Sequence, residues 1–300
     1  MNSAYLSTNR LTQRDAARGR SERRWIALWC GAATLLLLVV FGILGYIFVR
    51  GFPALSWDFL SSPPTKGMTS GGIWPMIRGT LLLIIGTGLV VLPLGVLSGV
   101  HLCYYARDGR AVRILRSCLV ALAGTPSIVF GLFGLAVFVI AAKLGTSLIA
   151  GWLTLAVFSL PPVILATEAA LRTVPISFTD AGEALGLPKW TTIWRIAIPA
   201  AMPSILTGLV LSAGRAAGEA PPILLTCGIF FSTAKLSFSL DALQQPVANL
   251  AYHLAEGYRQ GGQIPEKNVW GTCLTLVLIV LSINLLAIYA RWKTRRQKQW

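Results

Sequence analysis

Residues 179–203 read TDAGEALGLPKWTTIWRIAIPAAMP, a polar stretch between two long hydrophobic segments. Ser177 followed three residues later by Asp180 is a capping box, with Asp in place of the usual Glu or Gln, so a helix can begin there. Gly186 suits a left-handed C-cap, and Pro188 prevents the helix from continuing. The pattern therefore predicts a helix of about two turns on one side of a membrane.

The contacts of this short helix stay open on local physics alone. A helix between two membrane spans can dock into another protein, or it can lie flat on the membrane surface. A second short helix is predicted from Lys189 to Ile198, ending before Pro199. Leu185 and Leu187, on either side of the capping glycine, would present compact apolar surface to a docking partner.

The composition is that of an integral membrane protein. Hydrophobic residues make up 55% of the chain and charged residues only 12%, whereas a soluble domain has about 25% charged residues. A bilayer-crossing helix needs roughly 20 apolar residues. Six segments meet this requirement: Trp25–Val49, Gly79–Val100, Ser117–Ala142, Leu144–Thr167, Ile196–Ala234 and Asn268–Ala290. We therefore predict an all-α, polytopic membrane protein with six transmembrane helices, the fifth running from Pro203 to about Phe231.

The net charge of +15 is unevenly distributed, and the distribution predicts the topology. Most of the 26 Lys and Arg residues lie in residues 1–24, in the second and fourth connections, and in residues 291–300. Because cytoplasmic loops carry the excess of basic residues, both termini and the connection at 167–199 are expected in the cytoplasm. The basic tails also favour anionic lipid. Nucleic-acid binding is not expected, because no basic fold with interleaved aromatic residues is present.

Nothing in the sequence predicts catalysis on this chain. It contains no G-x4-G-K-[ST] loop, so energy has to come from an ATPase on another subunit or from a gradient. The five cysteines are scattered singly and the two histidines lie far apart, without the spacing of a metal site. We therefore expect no metal, no cofactor and no catalytic residue. The absence of an internal repeat weighs against the inverted-repeat secondary transporters.

Two charged residues interrupt the fifth hydrophobic segment, in residues 214–219, GRAAGE. A charge at the bilayer centre costs roughly 2.5–3.5 kcal/mol, so each needs a reason to be there. Arg215 lies twelve residues beyond Pro203, or ~18 Å along a helix and about halfway through a ~30 Å hydrocarbon core. Glu219 follows at i+4 and can neutralise the arginine.

Two interpretations of this pair remain open. It is a buried ion pair that joins helices, or Arg215 is a cation of the transport pathway whose guanidinium offers donors to an anion while Glu219 orients it. Gly214 and Gly218, also at i and i+4, predict a small-residue track where another helix approaches closely.

Four stretches resemble the phosphate-specific ABC transport permeases, in particular their A-type subunit: Thr80–Leu102, Leu122–Phe138, Ala166–Gly208 and Gly214–Thr226. The third stretch contains a segment similar to the EAA loop of ABC-importer permeases, in which Glu-Ala-Ala is followed at fixed spacing by Gly and then Ile-x-Leu-Pro. Asp180 stands for the Glu, Gly182 for the second Ala and Ile198 for the Leu.

The resemblance implies the type I ABC importer permease fold and a subunit that imports inorganic phosphate across the bacterial inner membrane. The implied partners are a second homologous permease subunit, two ATP-binding subunits and a periplasmic phosphate-binding protein. In that family the EAA loop docks into the ATPase, which assigns coupling to Asp180, Ala181, Gly182, Leu185, Gly186, Leu187, Ile196 and Pro199. The family's intramembrane arginine aligns with Arg215, and its nearby acid with Glu219.

Other functions remain possible at this point. Within the same class, the alternatives are the partner C-type permease and a sulfate or molybdate permease; outside it, the alternative is a gradient-driven secondary anion carrier. The expected organisation is a basic cytoplasmic tail (1–24, disordered at least in part), a first transmembrane helix (25–49), a periplasmic loop (50–78), a permease core (79–290) and a basic cytoplasmic tail (291–300). Within the core, 167–199 is the coupling loop and 232–267 is a periplasmic loop.

Overall fold

A computed structural model of the chain describes residues 2–65, 69–107, 109–229, 240–259 and 264–296. These residues are helical apart from short connections and an antiparallel pair of two-residue strands, β1 (Pro64–Thr65) and β2 (Ser70–Gly71). The helices are α1 (Asn2–Gly51), α2 (Trp57–Ser61), α3 (Trp74–Val100), α4 (Arg110–Ala123), α5 (Ser127–Gly134), α6 (Leu148–Arg172), α7 (Ile176–Ala184), α8 (Lys189–Thr192), α9 (Ile198–Ala217), α10 (Pro221–Thr226), α11 (Leu240–Leu243), α12 (Leu250–Arg259) and α13 (Glu266–Arg296).

Five continuous helical stretches are long and apolar enough to cross a membrane. They are Trp25–Ala54, Trp74–Tyr105, Leu148–Arg172, Lys189–Ala217 and Glu266–Lys293. A sixth candidate consists of α4 and α5 with the π-helical extension of α5, which pass the same test together. The all-α polytopic prediction is therefore confirmed, with one of the six spans broken.

The break in the third predicted span, Ser117–Ala142, is the first correction to the sequence analysis. The helix pair Arg110–Ala123 and Ser127–Ala141 is bent by 98°. Gly124 caps α4, and Pro126 has an extended ψ of 136° where α5 begins. Proline lacks a backbone donor and disfavours helical geometry in the residue before it, so the helix stops at this point.

The fifth span differs from its predicted range, Pro203 to Phe231, at both ends. It begins at Lys189, and a π-helical turn, Ile193–Ala197, joins α8 to α9 without a break. Pro199 lies in the first turn of α9, where a missing donor is tolerated, so the expected stop before it does not occur. The helix ends at Gly218, and a separate helix, α10, starts at Pro221.

The first helix extends further back than expected, because α1 is continuous from Asn2 through the predicted tail 1–24. Most of its membrane-crossing part is exposed, and the end of this helix packs against α13. Tyr46 meets Trp270 edge to face with ring centroids 5.2 Å apart, and Gly51 lies so close to Leu274 that a Cβ there would be 2.7 Å from the Leu274 Cβ. At the other end of the chain, α13 continues to Arg296, into the predicted tail 291–300.

The centre of the bundle is α6, which packs against α3, α9, α4 and α5. Small residues of α3 allow the close approach: a Cβ at Gly95 would lie 2.6 Å from Val163, and one at Gly99 would lie 2.6 Å from Thr167. Close packing of this kind replaces the hydrophobic effect as the force that holds helices together in lipid.

The end of the bundle opposite α7 is covered by the chain that follows α10. Val247 donates its backbone N–H to Cys227 at 2.8 Å and accepts one from Ile229 at 3.2 Å. The Thr80 hydroxyl accepts the backbone N–H of Leu250 at 3.0 Å. Of the predicted periplasmic loop 232–267, residues 240–259 and 264–267 are described, and the rest lies outside the described residues.

Candidate functional site

The short helix α7 ends as the sequence predicts, at a glycine in the left-handed conformation. Gly186 has φ of +75°. The Gly186 N–H donates to the Glu183 carbonyl at 2.9 Å, and the Leu187 N–H donates to the Gly182 carbonyl at 3.1 Å. These two bonds are the pair that defines a Schellman motif, so the predicted C-cap is confirmed.

The start of α7 differs from the prediction. Its N-cap is Pro175, with ψ of 137° and no side-chain cap, and the helix begins at Ile176. Ser177 therefore lies inside the first turn, and the predicted capping box with Asp180 is wrong. The extended backbone of the proline sets the start of the helix before the serine is reached.

The spacing between Gly182 and Ile196 has a direct structural cause. Gly182 is buried where α7 folds back on the start of the fifth span. A Cβ at this glycine would lie 2.8 Å from Thr192 Cγ2 and 3.2 Å from Ile196 Cδ1. The segments around Gly182 and Ile196 therefore pack against each other. The absence of a side chain at position 182 allows the loop to stay compact.

The outer side of this loop carries apolar residues that nothing else in the described chain covers. Leu185 is 80% exposed and Ile176 is 75% exposed, while Leu187 is half-buried. Asp180 and Ala181 are exposed beside them. Exposed apolar residues clustered at the end of a bundle, with polar residues around them, are typical of a protein contact.

Contacts of charged residues anchor the loop to the ends of the spans. The Lys189 ammonium donates to the Tyr104 carbonyl at 2.6 Å and lies 5.0 Å from the centroid of the Tyr105 ring. Both tyrosines belong to the π-helical turn that ends the α3 span. The loop is thereby fixed to the α3 span as well as to the two spans, α6 and α9, that it connects.

A buried ion cluster that the sequence analysis missed lies next to the loop. Glu168, which is 5% exposed, accepts hydrogen bonds from Arg116 Nε at 2.9 Å and from Arg172 Nε and Nη2 at 3.1 and 2.9 Å. Arg172 ends α6 four residues before α7 begins, and Arg116 lies on α4. The i,i+4 spacing of Glu168 and Arg172 was visible in the sequence, but the third partner depends on the fold.

The charge pair lies where the fifth span ends. Arg215 Nε is 3.9 Å from Glu219 Oε1, and the arginine Cζ lies 4.6 Å from the centroid of the Phe158 ring. The Arg215 side chain is 47% exposed and Glu219 is 17% exposed. Both line a cavity of about 570 Å³ between α9, α10 and α13. The guanidinium thus combines a weak ion pair, a cation–π contact and an open side.

The position of Arg215 along the bundle is given by its contact with α6. The count from Pro203 is wrong because the helix begins at Lys189. Phe158, however, is the eleventh of the 25 residues of α6, about 15 Å from one end and 21 Å from the other. Arg215 therefore lies near the middle of α6, in the last turn of α9, where the helix dipole favours a cation.

The predicted glycine track holds for one of its two members. A Cβ at Gly214 would lie 3.3 Å from Asn284 Oδ1 of α13, so this glycine does face another helix. Gly218 instead caps α9, and a Cβ there would meet only the Arg215 carbonyl, at 3.7 Å. Asn284, an amide within an apolar span, is a second site residue that the sequence analysis missed.

Comparison with known proteins decides the class of protein. The family described as the binding-protein-dependent transport system inner membrane component matches residues 91–296. The chain belongs to this family. Its members are membrane components of ABC transporters that work with other subunits, and this chain is a multi-pass inner-membrane protein. Within the described residues, no group of three His, Cys, Asp or Glu side chains could hold a metal ion.

Relatives match over most of their own length. A Bacillus subtilis protein described as a probable ABC transporter permease, YqgI, is 35% identical over 271 residues, covering 87% of this chain and 90% of that protein. The phosphate transport system permease protein PstA of Yersinia pestis is 34% identical over 279 residues, covering 91% and 92%. PstA 2 of Mycobacterium bovis is 34% identical over 275 residues, covering 91% and 88%.

Solved structures of other ABC transporters share the fold. A chain of a bacterial ABC transporter involved in import of the acidic polysaccharide alginate superposes with a TM-score of 0.58 at 12% identity, covering 93% of this chain and 98% of that one. A chain of the inward-facing MetNI methionine ABC transporter gives a TM-score of 0.54 at 17% identity, covering 76% and 98%. The fold is therefore that of the type I ABC importer permeases.

Proposed function

We propose that this chain is the A-type permease subunit of an ATP-driven importer of inorganic phosphate. The observation that carries the proposal is the Arg215 guanidinium, which lies against Phe158 in the middle of α6 and has an open side on a cavity. A dehydrated anion in a membrane needs fixed positive partners, and a guanidinium can meet two oxygens of a tetrahedral oxyanion at once. Relatives described as phosphate transport permeases support phosphate as that anion.

The proposed assembly contains this chain, a second homologous permease subunit, two ATP-binding subunits and a periplasmic phosphate-binding protein. The α7–Gly186 loop would dock on an ATP-binding subunit through Leu185 and Leu187, with both chain termini on the same, cytoplasmic side. The exposed apolar residues of the loop and its rigid Schellman end support this role. A gradient-driven carrier does not need such a surface.

The test is reconstitution of the complete complex in proteoliposomes with ATP inside and the phosphate-loaded binding protein outside. We expect ATP-dependent uptake of labelled phosphate, and much weaker uptake of sulfate and molybdate. Omitting the binding protein is the control. Uptake driven by an ion gradient without ATP would assign the chain to the carrier class, and preferred uptake of sulfate or molybdate would change the substrate.

A further inference from the structure

The cavity between α9, α10 and α13 takes all the polar side-chain chemistry of its described lining from one pair of residues. Arg215 and Glu219 are charged, and the other lining residues are glycine, alanine, proline, valine or leucine. A guanidinium can only donate hydrogen bonds, and a carboxylate can only accept them. A ligand that satisfies both groups therefore needs oxygens that accept and at least one hydrogen that it can donate.

Both groups are open to such a ligand. Arg215 Nε lies 3.9 Å from Glu219 Oε1, which is too far for a hydrogen bond. Neither side chain makes a hydrogen bond to any other part of the chain that the structure describes, and each keeps some exposed surface on the cavity. Since polar groups inside proteins are almost always paired, a mostly buried carboxylate without a donor indicates a donor that comes with the ligand.

The surroundings of the pair disfavour an anion that has no hydrogen to donate. Glu219 follows Gly218, which caps α9, and the carboxyl end of a helix carries a partial negative charge. The cation is therefore flanked by a carboxylate and by the end of α9. An oxyanion without a proton would place its lone pairs against those of the carboxylate, and this repulsion selects against it.

We propose that Glu219 determines specificity, by accepting a hydrogen bond from an oxyanion that still carries a proton while Arg215 binds the unprotonated oxygens. The proposal rests on the proposed function, which places the anion in this cavity. Inorganic phosphate and arsenate keep at least one proton at neutral pH, whereas the tetrahedral anions sulfate and molybdate keep none. A site built to bind a hydroxyl rejects an analogue that lacks it, because the acceptor is then left unpaired. The permease itself would thus distinguish phosphate from sulfate.

The test measures anion binding to the purified complex without the binding protein, so that delivery cannot impose the selectivity. Val280→Cys, in a complex without other reactive cysteines, places a thiol on the cavity, and bound anion slows its modification by a methanethiosulfonate reagent. At pH 7 we expect phosphate and arsenate to protect at roughly 10–100-fold lower concentration than sulfate, the ratio for one hydrogen bond to a charged group. Glu219→Gln should bring this ratio to about one, since an amide can accept or donate.

Two controls accompany the measurement. Glu266→Gln removes an exposed acid at the start of α13 and should leave the ratio unchanged. Arg215→Gln should remove protection by every anion. A carboxylate that only orients the arginine would weaken all anions alike on Glu219→Gln, without changing their order.

The outcomes separate this proposal from the proposed function. Equal protection by phosphate and sulfate, or a ratio that survives Glu219→Gln, would overturn the role of Glu219 while ATP-dependent phosphate uptake could still succeed. A thiol that no anion protects, or that the reagent never reaches, would overturn the role of Glu219 and the pathway role of Arg215 together.

Discussion

The Arg215 guanidinium lies over the ring of Phe158, with its Cζ 4.6 Å from the ring centroid. This contact joins the end of α9 to the middle of α6. The aromatic ring stabilises the cation in addition to the carboxylate of Glu219, so a second carboxylate is not needed. It also leaves the charge only loosely paired, because the Glu219 carboxylate is 3.9 Å away. A cation held mainly by an aromatic face can still donate hydrogen bonds to an anion.

Replacing this arginine should strongly reduce transport and preserve assembly. For Arg215→Gln we expect phosphate uptake to fall roughly 10–100-fold, since charge-assisted hydrogen bonds contribute about 1.5–3 kcal/mol. Arg215→Lys should also be impaired because an ammonium lacks the bidentate fork. Glu219→Gln should be milder, because it leaves the cation in place. Uptake by proteoliposomes and yield of the purified complex are measured together.

The opposite pattern would indicate a purely structural pair. In that case each single substitution would lower the yield of the complex, because it leaves a charge without its partner. Normal uptake by fully assembled Arg215→Gln complexes would contradict the pathway role.

The Schellman end of α7 should be sensitive to backbone conformation alone. A Cβ at Gly186 would meet no described atom of the chain within 4 Å, so Gly186→Ala tests the left-handed φ, at a cost of about 1–2 kcal/mol. Gly186→Asn should be better tolerated, because asparagine adopts this conformation more readily. Gly186→Asp also places a charge beside Leu185 and Leu187, and we expect it to abolish transport without affecting membrane insertion.

The measurement for this series is co-purification of the ATP-binding subunit together with uptake. If Gly186→Asp complexes retained the ATPase and transported normally, the loop would not be the docking surface.

Glu168→Gln should destabilise the complex far more than an equivalent change in an exposed pair. Two arginines depend on this buried carboxylate, and breaking a buried pair costs roughly 3 kcal/mol, at the lower end of the range because the arginines reach solvent. The matched control is Glu266→Gln, whose partner Arg50 is 3.8 Å away and whose side chain is 71% exposed. It should change stability by less than about 1 kcal/mol. Thermal denaturation of the purified complex distinguishes the two variants, and equal shifts would contradict a structural role for Glu168.

The proposed topology predicts where reporters fused to the chain will be active. Fusions at residue 10, at Asp108, at Lys189 and after Lys298 should report the cytoplasm, and fusions at Thr65 and Gln260 should report the periplasm. A periplasmic signal at Lys189 would remove the coupling-loop hypothesis, whatever the match to the family.

Features that depend on only a few neighbouring residues were the ones predicted most reliably from the sequence. Gly186 was predicted correctly because a helix end is decided by its own few residues, and the membrane class followed from composition. The capping box at Ser177 failed because an adjacent proline competes for the same helix start. The prediction of one unbroken span through Pro126 was also wrong, and so was the predicted start of the fifth helix, which lies at Lys189. Hydropathy records how apolar a segment is and not where its axis turns.

Other parts of the site could not be predicted because they are made by contacts between helices. Glu168 has one partner at i+4 and another on α4, and the second contact exists only once α4 packs on α6. Asn284 lies beside Gly214, a proximity that exists only once α13 packs on α9. In the same way, Arg215 lies against the middle of α6 through its contact with Phe158, which the length of its own helix does not predict.

The contact between Tyr46 and Trp270 has a consequence for biosynthesis. The residues are separated by more than two-thirds of the chain, so α1 leaves the ribosome about 10–45 s before the helix it packs against, at 5–20 residues per second. During that interval the surface of α1 that will pack on α13 is open to lipid, to the insertion machinery or to another newly made subunit. The last helix to be translated therefore holds the first in place, and a ribosome that stops before residue 270 releases a chain whose first span lacks the helix that it packs against.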